Sequence, residues 1–431
     1  MTLLVEDMTQ NEAAEWPFSL LREGMVHSAV YTSPEIFELE MERIFHRTWV
    51  FVGHESEIAE KGDFRVRQVG RLPVIFVRGK DGIVRVLVNR CRHRGAMVCE
   101  KEAGKASQFR CWYHGWLYSN TGQLIGVPGD DAYGPEFRKD ELGLSALPRI
   151  ESYRGFVFAS ASPDGIPLLE FLGGAAEAID IVTDVSPIGQ IAVDSGAHKT
   201  RFRGNWKHVG MDGYHPNVLH ASVLTRFVSE GEGHFDNPWD DKAGSVTRHY
   251  GHGHTALDLK PHRLSHVDER MAHLQKLPGG ADYVRDMLEN HGEERGRFMI
   301  AMNGDPHVGF FPNLQLIGTQ IRIVTPISVD ETEITMMPMR ILGVPNEINE
   351  ARLRHHEMFY GPAGAGSPDD IEIFERVQRG MEGTLDPWIN LQRGMNREQI
   401  DTDGTTIANI SDELPQRAQF AAWLSYLEKG A

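Results

Sequence analysis

Four residues in one short stretch restrict this chain more than anything else in it. Residues 89–122 read NRCRHRGAMVCEKEAGKASQFRCWYHGWLYSNTG, which contains Cys91-x-His93, seventeen intervening residues, then Cys111-x-x-His114. Each half offers one thiolate and one imidazole from a single loop. Two thiolates suit one ferric ion and two imidazoles suit another, so the four together suit a [2Fe–2S] centre of mixed ligation and raised potential. Zinc pairs usually leave about two to four residues between cysteines, and the C-x-H step departs from that. A structural Cys₂His₂ zinc site remains the alternative. Trp112, Tyr113 and Trp116 can shield a cluster from water. Cys99, the third cysteine, reads as a small buried apolar residue rather than a ligand.

The surroundings of that stretch have the period of strands. DFRVRQV (63–69), PVIFVR (73–78), IVRVLVN (83–89) and YRGFVFAS (153–160) are short apolar-rich runs, with the turn GKDG between the second and third. Ahead of them, Ser33 and Pro34 mark the start of a helix with Phe37, Met41, Ile44 and Phe45 on one stripe. Further on, periodicity weakens over 219–309, where long surface segments and one helix near 279–289 are expected. Strand-like runs return at 311–318, 319–328 and 333–343, followed by helices over 347–359, after Ser367, and at the C-terminal end, where Phe420, Trp423, Leu424 and Leu427 share a face. The fold class is therefore α+β. Three parts are expected: an N-terminal helical segment (1–44) packing on the larger domain, an all-β metal domain (45–160), and a larger domain (161–431) with a central antiparallel sheet surrounded by helices.

Composition removes several classes of function. At 431 residues and 41% hydrophobic content the chain can build two or three cored domains. A net charge of −17 argues against a nucleic-acid partner. No run approaches the roughly 20 apolar residues of a membrane span, and the acidic N-terminus lacks the pattern of a signal peptide. Three cysteines are too few for a secreted disulfide scaffold. A cytoplasmic location is the default expectation.

A second constellation lies at GNWKHVGMDGYHPNVLHAS (204–222). Asp212 and His215 are three apart and share a helix face. Pro216 ends that helix, and the following turn can bring His220 back to the same metal. A carboxylate would complete the 2-His-1-carboxylate triad of non-haem Fe(II) oxygenases. GAGSPDDIEIFERVQRG (364–380) supplies one: Ser367 reads as an N-cap, Pro368 as the first helical residue, and Asp370 shares a face with Phe374 and Val377. An aspartate on an apolar face wants a metal or another partner, although Asp369 and Asp370 also suit a helix N-terminus without one. Arg322, in TQIRIVTP, points the same way as Gln320 and Val324 if the run is a strand. It can clamp a carboxylate, or lie on the surface, or pair with a structural acid.

These two constellations resemble the large, alpha subunit of bacterial Rieske non-haem iron aromatic ring-hydroxylating dioxygenases, over about 40–425. The Rieske motif carries the first half of the likeness. Asn205-Trp206-Lys207, then Asp212-x-Tyr214-His215, then His220, carry the second, with the double aspartate at Asp369-Asp370. The resemblance implies one [2Fe–2S] Rieske cluster on Cys91, His93, Cys111 and His114, and one mononuclear Fe(II) on His215, His220 and Asp370. It implies that Asp212 bridges a cluster histidine of a neighbouring subunit, corresponding to His114, to its own His215. It places the substrate pocket near FPNL, with His208, Met211, Asn313 and Arg322 as candidate lining residues. The implied reaction is O₂-dependent dihydroxylation of an aromatic ring, of a benzoate-like acid, to a cis-dihydrodiol. Electrons would come from NAD(P)H through a separate reductase or ferredoxin, and the assembly would be a homotrimer or an alpha3beta3 hexamer with a small beta subunit. A monooxygenase or O-demethylase outcome uses the same ligands and stays open, as does a plain electron carrier or zinc protein. One departure stands out. The stretch from Asn205 to Asp212 is about one helical turn shorter than the family's, with His208 and Met211 where acidic and amide residues are usual.

Overall fold

A computed structural model describes residues 18–212, 242–304, 306–364, 366–383 and 385–429. The chain forms two compact units, one spanning Phe45–Leu168 and one made of the flanking parts, up to Ile44 and from Leu169 onward.

The Phe45–Leu168 unit is built from short antiparallel strands. The sheets are β1 (Val50–His54) with β9 (Arg149–Tyr153) and β10 (Phe156–Ser160), a four-stranded sheet of β2 (Asp63–Val69), β3 (Leu72–Arg78), β4 (Val84–Val88) and β5 (Ala103–Lys105), and a third of β6 (Gln108–Arg110), β7 (Leu117–Ser119) and β8 (Leu124–Gly126). The sequence reading of 153–160 as one strand is corrected here. Arg154 (φ 51°) and Gly155 (φ 86°) turn the chain, and Tyr153 pairs with Phe156 across the hairpin. Two successive positive φ values match the right-handed strand twist, but Arg-Gly lacks the Asn or Asp that usually announces such a turn. Phe64, Ile75, Val77, Leu87, Phe109, Trp116 and Tyr118 form a core that also buries Cys91, Cys99 and Cys111.

The second unit centres on a nine-stranded, wholly antiparallel sheet. Its strands are β11 (His198–Phe202), β12 (Val246–Gly251), β13 (His254–Asp258), β14 (His307–Phe310), β15 (Leu314–Ile317), β16 (Gln320–Ser328), β17 (Glu331–Pro338), β18 (Gln399–Ile400) and β19 (Thr406–Asn409), in the order β11-β17-β16-β15-β14-β13-β12-β19-β18. α1 (Pro34–Glu40) begins as expected: Pro34 fills the first turn and the Ser33 hydroxyl accepts from Ile36 N. It then widens into a π-turn over Met41–Phe45. Phe37, Met41, Ile44 and Phe45 are all buried.

The 219–309 region holds more regular structure than its sequence announces. Besides β12 and β13, the described residues contain α2 (Lys260–Ser265), α3 (Val267–Leu274), α4 (Gly280–His291) and α5 (Glu293–Met302). α2 and α3 bury little, whereas α5 buries Gly296, Met299, Ile300, Ala301 and Met302. None of the α3 residues is fully buried, and α4 buries Tyr283, Val284 and Met287 on one narrow face. A faint apolar period follows directly from so narrow a buried stripe. α6 (Asn346–Tyr360), α7 (Ser367–Met381) and α8 (Leu414–Lys429) complete the cover of the sheet. At α7 the cap expectation fails: Ser367 is already helical, Gly366 is the N-cap, and the Ser367 hydroxyl donates to Met336 Sδ (3.6 Å) instead. No described helix is long and apolar enough to cross a membrane.

Candidate metal centres

The first four candidate ligands come together through two loops of the same construction. Gly95 N donates to Cys91 O while Cys91 N donates to Ala96 O, and Gly115 N donates to Cys111 O while Cys111 N donates to Trp116 O. Each loop thus closes on its own cysteine, and each uses a glycine at positive φ, Gly95 at 78° and Gly115 at 74°. The closure fixes where the next side chains point. The His93 and His114 rings lie 4.5 Å apart, and His93 is stacked on Trp116 at 5.0 Å. Cys91 and Cys111 are buried beside each other, and burial raises the Cys111 thiol above its ordinary value, with the Cys91 thiol as a neighbour. Tyr118 fastens the pair from below: its hydroxyl lies 3.3 Å from Cys91 Sγ and accepts from Arg92 N. His93 Nδ1 is buried without a hydrogen-bond partner. Two thiols on one side and two imidazoles on the other, one with an orphaned ring nitrogen, are the donor set that a Rieske [2Fe–2S] centre requires. Cys99 stands apart in role. Its thiol donates to Lys101 O, and Asn89 brackets it by accepting from Cys99 N and donating to Cys99 O.

The second constellation is visible in part. The backbone enters a π-turn over His208–Asp212. The Asp212 side chain, Tyr214, His215 and His220 lie outside the described residues. What precedes them is rigidly held. Asn205 Nδ2 donates to Tyr31 O and Val329 O, Trp206 Nε1 donates to Glu40 Oε2 (2.7 Å), and Lys207 Nζ donates to Glu40 Oε1 (2.6 Å). Glu40 also accepts from Trp423 Nε1 (2.7 Å), and Glu40, Trp206, Lys207 and Trp423 have no solvent exposure. Sequence reasoning missed Glu40, although a carboxylate on the buried stripe of an amphipathic helix is itself a signal. His208 is locked in place, with Nε2 2.9 Å from Gln378 Oε1 and its ring stacked on Tyr31 (4.7 Å) and Phe374 (6.3 Å). Met211 and Asn313 are buried.

Asp370 lies on α7, whose Phe374 and Gln378 face this same segment through Phe202, Asn205 and His208. Asp370, Phe374 and Gln378 fall four residues apart along the helix. Asp370 therefore falls on the side of α7 that carries Phe374 and Gln378. Beneath it runs a row of directly paired residues across the sheet: Gln315, Arg322, Met336 and His198. Paired residues project to one face. Gln315 Nε2 donates to Val209 O (2.6 Å) in the π-turn, and Met336 meets Ser367 at the start of α7. Arg322 sits between them, only 8% exposed, with no carboxylate partner among the described residues. It is neither on the surface nor paired with a structural acid there.

The described residues also bring together a set that sequence reasoning did not single out. His198, His356 and Glu357 offer ligand atoms within 4.8 Å of one another. His198 Nε2 and Glu357 Oε1 are 2.9 Å apart, and both ring nitrogens of the buried His356 lack partners. Burial lowers the His356 pKa to about 4, so its imidazole is neutral and able to coordinate a cation near pH 7. No spacing announces this set, because β11 and α6 are brought together only by folding.

Comparison with known proteins agrees with both halves. Residues 48–151 match the Rieske [2Fe-2S] domain, and residues 187–417 match the ring hydroxylating alpha subunit (catalytic domain). The chain is 34% identical over 406 residues to the 2-halobenzoate 1,2-dioxygenase large subunit of Burkholderia cepacia, covering 91% of this chain and 83% of that one. It is 35% identical over 365 residues to the toluate 1,2-dioxygenase subunit alpha of Pseudomonas putida, covering 82% and 78%. Its fold superposes on naphthalene 1,2-dioxygenase from Rhodococcus sp. with a TM-score of 0.78, 28% identity and 94% coverage of both chains. With a Rieske domain preceding a catalytic domain along nearly its full length, the chain belongs to the bacterial Rieske non-haem iron ring-hydroxylating dioxygenases, as the large catalytic subunit.

Proposed function

We propose that this subunit dihydroxylates an aromatic carboxylic acid, with O₂ as co-substrate, to a cis-dihydrodiol. When bound, the cluster supplies single electrons and the mononuclear iron supplies O₂ activation. Cys91, His93, Cys111 and His114 hold the cluster, and His215, His220 and Asp370 hold the iron. Asp212 is the bridging carboxylate between a cluster histidine of a neighbouring subunit and His215, a second-layer contact of the kind that orients ligating imidazoles. The subunit acts as a homotrimer or in an alpha3beta3 hexamer, and draws electrons from NAD(P)H through a reductase, with or without a ferredoxin.

The observation that carries the acid assignment is Arg322. A buried guanidinium without a carboxylate among the described residues, on the sheet face below α7, supports this reading, because a carboxylate brought by the substrate would supply the missing partner. Its guanidinium carbon also lies 5.9 Å from the Tyr360 ring centre, which leaves an aromatic surface beside it. The halobenzoate and toluate relatives carry acid substrates in their names. An oxygen-uptake screen of benzoates against neutral arenes, with products identified by mass, tests the reading. Benzoates should turn over with coupled O₂ use, and Arg322→Met should raise KM for the acid without changing iron content. Efficient turnover of neutral arenes that is unchanged in Arg322→Met removes the acid assignment.

A second reading of the iron position rests on His198, His356 and Glu357, whose donor atoms are already grouped. Metal analysis separates the two. On the first reading His215→Ala lowers bound iron from three to two per chain, leaving the two of the cluster, and His356→Ala leaves all three. The opposite result transfers the mononuclear iron to the His356 group.

A further inference from the structure

His198 is the first residue of β11, and His356 and Glu357 lie near the end of α6, so strand and helix meet at these three side chains. The arrangement is specific. The His198 and His356 rings stack at 5.6 Å with only 10° between their planes. His198 Nε2 is 2.9 Å from Glu357 Oε1, and a nitrogen of His356 completes a set of three donor atoms within 4.8 Å of one another. A nitrogen of the buried ring is thus turned to the other two ligands. His356 has no solvent exposure, and neither of its nitrogens has a hydrogen-bond partner. The Glu357 side chain is 59% exposed and that of His198 24%, so the group opens to solvent at the carboxylate.

An imidazole shut away from water has lost the hydration of both nitrogens, and a buried imidazolium would lose far more. The His356 ring is therefore neutral, with one lone pair available. Two neutral imidazoles and a carboxylate suit a divalent transition cation, whereas Ca²⁺ and Mg²⁺ take oxygen ligands. Zinc bonds nitrogen and oxygen at about 2.0–2.2 Å, which sets neighbouring ligand atoms roughly 3–3.5 Å apart. The His198–Glu357 pair already stands near that spacing, and His356 needs only a small approach. Arg322 adds positive charge close enough to act on His356. The carboxylate of Glu357 is then the ligand that offsets the charge of a dication.

We propose that His198, His356 and Glu357 form a binding site for a divalent cation of the zinc class, additional to the cluster and to the mononuclear iron. This inference rests on the reading that places that iron at His215, His220 and Asp370. The cation takes His198 Nε2, one ring nitrogen of His356 and a carboxylate oxygen of Glu357, and His198 keeps its ring proton on Nδ1. Bound there, the ion clasps β11 to α6. β11 leads into Asn205, Trp206 and Lys207, and α6 is followed by α7, so one ion joins the stems of both segments.

The probe is Zn²⁺ itself. The assembled, iron-loaded enzyme is dialysed to equilibrium against micromolar Zn²⁺ in millimolar Mg²⁺, and zinc and iron per chain are counted by mass spectrometry. The parent should retain one zinc beside three irons, two in the cluster and one mononuclear. His356→Ala should lose the zinc and keep all the iron. Glu357→Gln, at an exposed position where folding is not at stake, should weaken zinc binding about tenfold or more. His215→Ala should lose one iron and keep the zinc. No zinc on the parent, zinc gained only as iron is lost, or zinc undiminished in Glu357→Gln overturns the inference. Iron lost from His356→Ala but kept in His215→Ala overturns the placement of the iron, and this inference with it.

Discussion

Glu40 is the residue whose replacement tests the architecture most sharply. Its two carboxylate oxygens accept from Lys207 Nζ at 2.6 Å, Trp206 Nε1 at 2.7 Å and Trp423 Nε1 at 2.7 Å, all without solvent. Removing one partner of a buried ion pair leaves the other charge stranded and costs about 3–5 kcal/mol. For Glu40→Gln the stranded group is the Lys207 ammonium, and the amide can still accept from one indole. At roughly 2–4 °C per kcal/mol for a large domain, the unfolding temperature should fall by about 6–20 °C. Lys207→Met alone should be costly too, since it strands the carboxylate. The double variant Glu40→Gln, Lys207→Met removes both charges and should be more stable than the sum of the two single losses predicts, because an apolar replacement of a whole buried pair is often near neutral. Calorimetry gives the unfolding temperature of each, and the visible absorbance of the cluster follows the Phe45–Leu168 unit independently. Lys207 immediately precedes the His208–Asp212 turn, so mononuclear iron should be lost from the single variants before the cluster is. Strictly additive losses, or a Glu40→Gln enzyme within about 1 kcal/mol of the parent, would show that the pair does not anchor this segment.

Three further outcomes are expected. His254 donates through Nε2 to Phe171 O and accepts through Nδ1 from Phe311 N, and burial lowers its pKa to about 3. The folded state holds it neutral while the unfolded chain protonates it near pH 6.5, so stability is complete above that pH and falls toward pH 3, by up to about 1.4 kcal/mol per pH unit; stability measured in denaturant from pH 8 to 5 should show this slope, and His254→Asn should flatten it. Tyr118→Phe removes the hydroxyl 3.3 Å from Cys91 Sγ, and a lost bond of about 1 kcal/mol should lower the cluster potential by about 40 mV in an EPR-monitored redox titration; an unchanged potential refutes the contact. Asp212→Ala should keep iron and sulfide near parent levels yet slow cluster oxidation in a single turnover with substrate and O₂, and a normal rate removes the bridge.

The sequence by itself determined the β domain, the antiparallel sheet flanked by helices, and the identity of the paired Cys-His loops. Those signals are local: strand alternation, turn residues, and ligands one or two residues apart. Cys91, His93, Cys111 and His114 were legible because each loop closes within five residues, from Cys91 to Ala96 and from Cys111 to Trp116. The helix expected near 279–289 is α4, but the hairpin at Arg154-Gly155 and the helices α2, α3 and α5 were less legible, the first for want of a telling turn residue, α2 and α3 because they bury almost nothing, and α5 because its buried residues 299–302 are consecutive rather than periodic. Asn205, Trp206 and Lys207 stood out in the sequence, but only the fold shows that Trp206 and Lys207 converge on Glu40, more than 160 residues away, while Asn205 reaches Tyr31 and Val329. The same holds for the row from Gln315 to His198 and for the grouping of His198 with His356. Each depends on strand register or helix docking, and on which charges end up without water. Burial and partnership are properties of distant segments brought together, and no local pattern encodes them.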